Sequence, residues 1–428
     1  MVALLFLVFI VCLVIAIPVS ISLGIASVFP IVFDPSFTVS AKFLIRSMFS
    51  GLDSFPLLAV PMFVLSGIIM AKGGISRKLF DVFTYFLGNR TAGMPCAVVV
   101  TCLFYGAISG SAPATVAAVG SMTIPILTSL GYELTFSTAI VAVAGGLGVI
   151  IPPSIPFIMY GMASGASVSD LFLAGIIPGL MIGLLLMCYC VYYCRKHGED
   201  KVKIRAAVGQ LHQKGLFRVL RDSFFAILSP VIILGCIYTG VASPTEAAVI
   251  SVFYALFISL VVYRTIHLRD VWAILQESIR TFTPILFILA TSTAFSRVLT
   301  LMEVPQTVSD FISSNFHSPV LILLVINAFL LIVGMVMDTT PAILILTPIL
   351  LPVVQAFGMN PIQFGVVMVV NLAIGFVTPP VGVNLFVASS LTDLPVMSIA
   401  KKSLPMIIYF LVALLLITYI PALSLALI

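Results

Sequence analysis

A pattern of Pro and Gly residues occurs twice in this chain, and every residue number of the first copy differs from its counterpart by 227 (352 − 125, 380 − 153). We call this difference the repeat offset. The first copy has Pro125, Gly131, Gly148, Pro152, Pro153 and Pro178, and the second has Pro352, Gly358, Gly375, Pro379, Pro380 and Pro405. A Pro-Pro pair inside an apolar run interrupts a helix, because proline lacks a backbone donor and clashes with the preceding turn. Chains that break the equivalent helix in both halves are typical of secondary transporters, whose interrupted helices bind ions near the middle of the membrane.

The composition indicates an integral membrane protein. The chain is 61% hydrophobic and 8% charged, with a mean hydropathy of +1.27, whereas about a quarter of the residues in a soluble domain are charged. We interpret Met1–Val28 as a retained first span and not as a signal peptide, because it lacks a basic start and a small-residue cleavage site.

The positions of basic residues predict the topology. Residues 195–222 form the most basic segment, and basic loops collect in the cytoplasm. The apolar stretches on either side predict spans at 1–28, 55–71, 171–194, 223–241, 246–263, 281–301 and 404–427, an interfacial segment at 41–54 and an outside turn at 315–319. Lys401 and Lys402 would then lie in a cytoplasmic loop. This topology predicts a multi-pass membrane protein with a cytoplasmic N-terminus and a C-terminus on the outside.

Two pairs of short apolar segments are separated by polar breaks. Residues 93–108 and 114–130 form the first pair, and 320–337 and 342–357 form the second. Segments this short suit re-entrant hairpins, the first opening to the cytoplasm and the second to the outside. We therefore predict an all-α polytopic membrane protein with inverted repeats, two re-entrant helical hairpins and two helices broken at Pro-Pro, at 137–166 and 361–391.

The predicted division of the chain follows these repeats. Residues 1–92 would form the first scaffold helices and an interfacial arm, 93–170 the first transport-domain repeat, 171–280 further scaffold helices with the basic loop, 281–402 the second repeat and 403–428 a C-terminal scaffold helix.

Irregular backbone inside a membrane must be buried in protein or line a cavity. The sequence concentrates it at Ser109–Thr115, Gly145–Ser154, Gly334–Pro341 and Gly375–Asn384. If each hairpin tip meets the break of its own repeat, main-chain carbonyls and the hydroxyls of Ser109, Ser111, Thr339 and Thr378 would supply hard oxygen ligands. Such ligands suit Na⁺ and not a transition metal, and the restarting helix N-termini favour an anion. The alternative is that Gly and Pro only kink helices for packing.

Isolated charges in apolar segments are a second signal. Arg297 lies within the span 281–301, and its planar guanidinium suits a carboxylate. It could instead pair with Asp338 or Glu303, or reach toward the outer face. Asp338, at the second tip, is either an acid of the ligand site or a helix N-cap, and the two roles are compatible. Glu246, which follows Ser243 at the spacing of a capping box, fits a helix start.

Other function classes lack their signatures. His197, His212, His267 and His317 lie in loops or at segment ends, which favours Na⁺ over H⁺ coupling, although Asp338 leaves protons open. An intramembrane enzyme would need a nucleophile or a metal motif, which we do not find in the sequence, and two unlike hairpins do not make a four-fold channel filter.

Several long motifs resemble the large membrane subunit of tripartite ATP-independent periplasmic (TRAP) transporters, the DctM-like family. They are YGAISGSAPATVAAVGSMTIP (105–125), GYELTFSTAIVAVAGGLGVIIPPSIPFIMYG (131–161), LFLAGIIPGL (171–180), SPTEAA (243–248), MDTTPAILILTPILLPV (337–353) and GFVTPPVGVNLFV (375–387). The resemblance implies an elevator mechanism, Na⁺ as the coupling ion, a separate DctQ-like small subunit of four helices and a periplasmic DctP-like binding protein that delivers an organic acid. It also implies a place in the bacterial inner membrane, so that the C-terminus predicted to lie outside would be periplasmic. It implies no organic cofactor and no enzymatic activity.

The motifs also suggest which residues bind ions and substrate. Carried over, the first Na⁺ site would use Ser109, Gly110, Ser111, Gly145, Gly148, Val149 and Pro152, and the second Gly334, Asp338, Thr339, Gly375, Thr378 and Pro379. Candidates for substrate binding are Arg297, Ser111, Thr115, Ser154 and Asp338. An Arg at position 297 resembles members that carry sialic acid, which we favour over a C4-dicarboxylate, another organic acid or an H⁺-coupled organic anion.

Overall fold

In the computed structural model, which describes residues 1–34, 37, 39–315 and 318–428, all regular secondary structure of the described residues is helical. In the first half the helices are α1 (Val2–Val14), α2 (Val19–Phe33), α3 (Ala41–Leu52), α4 (Ala59–Lys72), α5 (Ile75–Leu87), α6 (Gly93–Ser109), α7 (Ala112–Ser129), α8 (Leu134–Gly145), α9 (Ile155–Ser164) and α10 (Val168–His197). In the second half they are α11 (Lys201–Gln213), α12 (Leu216–Tyr238), α13 (Pro244–Phe257), α14 (Leu268–Leu301), α15 (Val304–Asn315), α16 (Pro319–Val336), α17 (Thr339–Ala356), α18 (Pro361–Gly375), α19 (Val383–Thr392), α20 (Val396–Tyr419) and α21 (Ala422–Leu425).

Short stretches of other helix types extend three of these elements. Phe55–Leu58 and Gly146–Val149 are 3₁₀ turns, and Ile258–Val262 is a π turn. Among the described residues, nine helical segments are long and apolar enough to cross a membrane. The prediction of an all-α polytopic membrane protein is confirmed.

Helix boundaries recur at the separation found in the sequence. Adding the repeat offset to the bounds of α7 gives 339–356, which are the bounds of α17. The same shift places α6 at 320–336, against α16, and α9 at 382–391, against α19. Both Pro-Pro pairs fall in the resulting gaps, and both Pro-Pro bonds are cis. The Pro/Gly pattern therefore marks equivalent helix ends.

The two halves pack on each other reciprocally. Helix α9, which follows the first break, lies against α17 and α18, whereas α19, which follows the second break, lies against α7 and α8. Asn384 at the start of α19 donates a hydrogen bond from Nδ2 to the Ala142 carbonyl of α8 at 3.0 Å. Each broken helix thus ends inside the opposite half. Inversion of the halves across a membrane stays a prediction.

The prediction of one continuous span over Met1–Val28 was wrong. Helix α1 ends at Val14, Pro18 precedes α2, and the two helices pack against each other. Pro18 disfavours helical backbone at Ile17, and Ala16 has a positive φ of 65°. The cytoplasmic N-terminus was inferred from a single crossing here, so it loses that support.

The basic segment 195–222 is mostly helical, which corrects the predicted loop. It contains α11 and the first turns of α12, so that α12 begins at Leu216 and not at residue 223. Val208 and Leu211 of α11 are buried, and His212 Nε2 lies 3.0 Å from the Tyr85 carbonyl of α5. Helix α11 is therefore amphipathic, and its apolar face packs against α5 although its charged residues had indicated a loop.

Two further predicted boundaries lie inside long helices. Helix α14 begins at Leu268, several turns before the predicted span at 281, and α20 begins at Val396. Lys402 is consequently helical, and its Nζ lies 2.5 Å from Glu133 Oε2. The division into scaffold and transport domains stays a prediction. The predicted turn at 315–319 includes residues 316 and 317, the second of which is His317, and these two lie outside the described residues.

Candidate functional site

The first hairpin tip lies against the first break. The amide of Ile155, just after the Pro-Pro pair, donates to the Gly110 carbonyl at 3.3 Å. A Cβ on Gly110 would come within 2.8 Å of the Pro153 carbonyl, and one on Gly106 would come within 2.6 Å of the Gly148 Cα. Glycines on both surfaces therefore allow backbone to approach backbone, because no side chain separates them.

Hydroxyl groups collect at this contact. Ser109 Oγ and Thr115 Oγ1 are 3.0 Å apart, and Thr115 Oγ1 donates to the Ser111 carbonyl at 2.8 Å. Ser109 and Thr115 are buried. A Cβ on Gly148 would lie 2.5 Å from Thr115 Oγ1, so the break presses directly on this cluster. Ser154 bonds within the break instead, donating to the Val149 carbonyl at 2.5 Å and capping α9 through the Phe157 amide at 3.3 Å.

The second hairpin tip repeats the arrangement with different side chains. The amide of Val381 donates to the Met335 carbonyl at 3.2 Å, as Ile155 does to Gly110. A Cβ on Gly375 would overlap the carbonyl of Gly334. Thr378 Oγ1 donates to the Ile374 carbonyl at 2.8 Å. Asp338 Oδ1 accepts from the Thr339 amide at 2.7 Å, so this acid caps α17.

A cavity of about 750 Å³ opens beside the first tip, and we call it the Lys72 cavity. It lies between α4, α7 and α14, and Ser109 and Ser111 form part of its wall. Lys72 Nζ and Glu277 Oε2 are paired at 2.5 Å in the same wall, and Arg77 lies nearby. Hydroxyls of the first tip are thus reachable from a space lined by charge.

A second cavity of about 470 Å³ contains Arg297, and we call it the Arg297 cavity. Besides Arg297 its wall carries the hydroxyl residues Ser50, Ser54, Thr293, Ser296 and Thr300. Within the described residues, Arg297 makes no ion pair with Asp338 or Glu303, and it is exposed to the cavity. The guanidinium is therefore free to bind an anion from the cavity.

The two cavities use equivalent helices. Leu344 and Pro348 of α17 line the Arg297 cavity, and their counterparts at the repeat offset, Ala117 and Ser121 of α7, line the Lys72 cavity. Helix α14 lines both. Each half of the molecule therefore presents one hairpin to its own cavity.

The predicted residues are only partly brought together. In repeat 1, Ser109 of the tip contacts Thr115, which lies against Gly148 of the break. In repeat 2, Gly334 of the tip lies against Gly375 of the break. The residues predicted to bind substrate are divided between the two cavities, because Ser111 lines the Lys72 cavity and Arg297 lines the Arg297 cavity. The sequence reasoning missed Gly106 and the Lys72–Glu277 pair. Gly106 lies within the motif at 105–125, which could have pointed to it. Lys72 and Glu277 are far apart in the chain, and a single sequence gives no signal that they pair.

Comparison with known proteins identifies the family. The sequence model of the tripartite ATP-independent periplasmic transporter DctM component matches residues 6–423. The chain belongs to the DctM family. It is a TRAP transporter large permease subunit, a member of a family of membrane transport proteins.

Curated relatives within TRAP transporters are similar over most of this DctM chain. The isethionate TRAP transporter permease protein DctMQ of Oleidesulfovibrio alaskensis is 43% identical over 96% of the chain, which spans 64% of that longer protein. The C4-dicarboxylate large permease DctM of Pseudomonas aeruginosa is 40% identical, with 95% and 93% coverage. The sialic acid large permease SiaM of Vibrio cholerae is 33% identical, with 90% and 89% coverage.

Solved structures of other transporters share the fold. The YdaH transporter of Alcanivorax borkumensis has a TM-score of 0.60 at 14% identity, with 89% of each chain covered. MtrF of Neisseria gonorrhoeae has a TM-score of 0.61 at 14% identity, with 93% and 92% coverage. At this identity the likeness concerns the architecture alone.

Proposed function

We propose that this DctM-type subunit imports an organic anion coupled to Na⁺, together with a small membrane subunit and a periplasmic binding protein. The observation that carries the proposal is the cluster of Ser109, Ser111 and Thr115 oxygens pressed against Gly148. Hydroxyl and carbonyl oxygens without a thiolate or imidazole suit a hard monovalent cation. The backbone arrangement at Gly334 and Gly375 would supply the second Na⁺ site.

Na⁺ coupling gives the transport its driving force. Each net positive charge that moves inward down a potential of 100 mV contributes ~2.3 kcal/mol. Two Na⁺ ions moving with a monovalent anion would leave one net charge. Accumulation of the anion would therefore depend on both the Na⁺ gradient and the membrane potential.

The two cavities support alternating access by an elevator movement. The rise per residue of an α-helix places Glu277 and Arg297 about 30 Å apart along α14, which corresponds to the hydrocarbon thickness of a bilayer. We place the Lys72 cavity on the cytoplasmic side, because Lys72, Arg77 and Lys78 follow the positive-inside bias. Arg297 would then receive the anion on the periplasmic side.

The substrate is an anion that a single guanidinium can bind bidentately. The relatives named for isethionate and C4-dicarboxylate are 43% and 40% identical, and the sialic acid relative is 33% identical. We therefore propose a small organic anion as the substrate. Sialic acid is the second candidate, since the Arg297 cavity offers both a cation and many hydroxyl groups.

Uptake into proteoliposomes tests this function. The vesicles should contain both membrane subunits, and the binding protein should be added outside with isethionate, succinate or sialic acid. We expect uptake of one of them, with a sigmoidal dependence on Na⁺ and little uptake without the binding protein. Equal uptake in K⁺ medium with an imposed pH gradient would support H⁺ coupling instead, and uptake by this chain alone would contradict the tripartite assignment.

A further inference from the structure

Four polar side chains are buried in a row where α16, α18 and α20 meet. They are Gln363 and Asn371 of α18, Asn327 of α16 and Thr418 of α20, and each is at most 4% exposed. We call them the amide row. Buried polar groups in a membrane protein must find partners inside it, because lipid supplies none.

Most of the amide row is satisfied by bonds between helices. Asn371 Nδ2 donates to Asn327 Oδ1 at 2.7 Å, and Asn327 Nδ2 donates to Thr418 Oγ1 at 3.1 Å. Gln363 Nε2 donates to the Thr418 carbonyl at 3.0 Å. These bonds alone would be explained by helix packing.

Asn371 breaks this pattern. Among the described residues, no donor lies within hydrogen-bond distance of its Oδ1, although the side chain is fully buried. Its Nδ2 has two acceptors, Asn327 Oδ1 and the Val367 carbonyl at 2.9 Å. Turning the amide by half a rotation would not help, since three oxygens would then face each other. The first orientation leaves only Asn371 Oδ1 unpaired, whereas the turned orientation brings Asn371 Oδ1, Asn327 Oδ1 and the Val367 carbonyl together. A cation between these three oxygens would satisfy them.

The corner lies close to the second break. Asn371 is one helical turn before Gly375 on α18, about 6 Å away along the axis. Gly375 in turn packs on Gly334 of α16, and Asn327 lies two turns before Gly334 on the same helix face. The amide row therefore follows the α16–α18 interface toward the proposed ion site of repeat 2.

Repeat 1 contains no counterpart. At the repeat offset, the residues that correspond to Asn327, Gln363, Asn371 and Thr418 are Val100, Phe136, Ala144 and Val191. All four are apolar, although the helices that contain them begin within one residue of the positions expected from the repeat offset. A purely structural requirement of the shared backbone would not need amides in one copy alone.

We propose that Asn371 and Asn327, with the Val367 carbonyl, form an additional Na⁺-binding site that only repeat 2 possesses. The inference rests on the Na⁺ coupling proposed above. Neutral amide and carbonyl oxygens are hard ligands and suit an alkali cation. The two repeats would consequently bind unequal numbers of Na⁺ ions.

Thermal unfolding of the full chain, purified with its small subunit, tests this site. NaCl is titrated against choline chloride at constant ionic strength, and the rise in Tm with Na⁺ is recorded, since a ligand that binds only the folded state raises Tm. Asn371→Ala, which copies the residue of repeat 1, should raise the Na⁺ concentration for half of the shift by at least about tenfold. Asn371→Leu serves as a second variant if the alanine protein is poorly folded.

Gln363→Leu is the matched control, because it removes the bonds of the amide row to the Ile417 and Thr418 carbonyls and leaves the bonds of both proposed ligands in place. It should lower Tm without Na⁺ but leave the Na⁺ titration unchanged. An unchanged titration in both Asn371 variants would overturn the site and reduce the amide row to packing or a bound water. Absence of any Na⁺ effect in the wild-type complex would overturn the proposed coupling itself.

Discussion

The two tip–break pairs have the same backbone arrangement but different surroundings. In repeat 1 the break from Gly145 to Ser154 is buried throughout, and Ser109 and Gly110 of its tip are buried as well. In repeat 2 Asp338 at the tip and Pro380 in the break are exposed. The first pair is closed by hydroxyls, whereas the second has a carboxylate at its tip and the amide row behind it. The repeated glycines and prolines thus constrain the backbone, and the side chains around them are free to differ.

Equivalent glycines should differ in tolerance because of this contrast. Gly375→Ala would force a methyl group into the Gly334 backbone, which cannot move aside, and we expect loss of folded protein. Gly148→Ala meets Thr115 Oγ1 at 2.5 Å and the Ser111 carbonyl at 2.9 Å, and it should cost about 1–3 kcal/mol. Yield and Tm of the purified complex measure both effects.

Gly146→Ala is the control, since its nearest neighbour would be the Ala373 carbonyl at 3.6 Å, an ordinary contact distance. Similar losses for all three variants would mean that glycine is needed there for flexibility and not for close approach.

The cavities should differ in their role in substrate binding. Arg297→Ala removes a charged partner worth about 1.5–3 kcal/mol, so KM for the anion should rise about 10- to 100-fold with little change in Tm. Arg297→Lys should recover part of the affinity. The measurement is the initial rate of uptake against substrate concentration.

Lys72→Ala, in the other cavity, should leave KM for uptake from outside unchanged, because Lys72 is already paired with Glu277. A rise in KM for Lys72→Ala but not for Arg297→Ala would reverse the proposed sides of the two cavities.

The tips should differ in how much the residue just before the second helix of the hairpin stabilises that helix. Asp338 caps α17 with its side chain, whereas its counterpart in repeat 1, Ser111, makes no side-chain cap on α7. Asp338→Ala should therefore cost about 0.5–2 kcal/mol, and Asp338→Asn much less. Thermal unfolding in choline chloride gives the comparison, with Ser111→Ala expected to cost less than Asp338→Ala. Equal losses would show that the cap contributes nothing.

The hydroxyl cluster of repeat 1 should affect Na⁺ binding modestly. Thr115→Val removes one hydrogen-bonding oxygen from a buried position and should raise the Na⁺ concentration for half-maximal uptake about 2- to 10-fold. Thr123→Val is the control, because Thr123 lies on the same helix and, among the described residues, its hydroxyl bonds only to the Val119 carbonyl of its own helix at 2.8 Å. Equal effects of the two variants would indicate altered packing of α7 and not an ion site.

Local sequence was sufficient to predict features that depend on one helix or one turn alone. The hairpin tips at Ser109–Thr115 and Gly334–Pro341 and both Pro-Pro breaks were predicted, because Pro and Gly act on their own turn of helix. The capping box of Ser243 and Glu246 was also predicted and is present. The errors occurred where a single signal was used, hydropathy at Met1–Val28 and charge in α11, whose burial depends on α5.

The sequence by itself determined the membrane environment, the two copies and the ends of their broken helices, since composition and proline chemistry are local properties. Only the tertiary structure decided that Arg297 and Ser111 line different cavities and that none of the described residues donates to Asn371 Oδ1. Those facts depend on which helices pack together across long stretches of chain, as Asn371 does with Asn327 and Lys72 with Glu277. One sequence carries no record of such pairings, because many alternatives would bury the same apolar surface equally well.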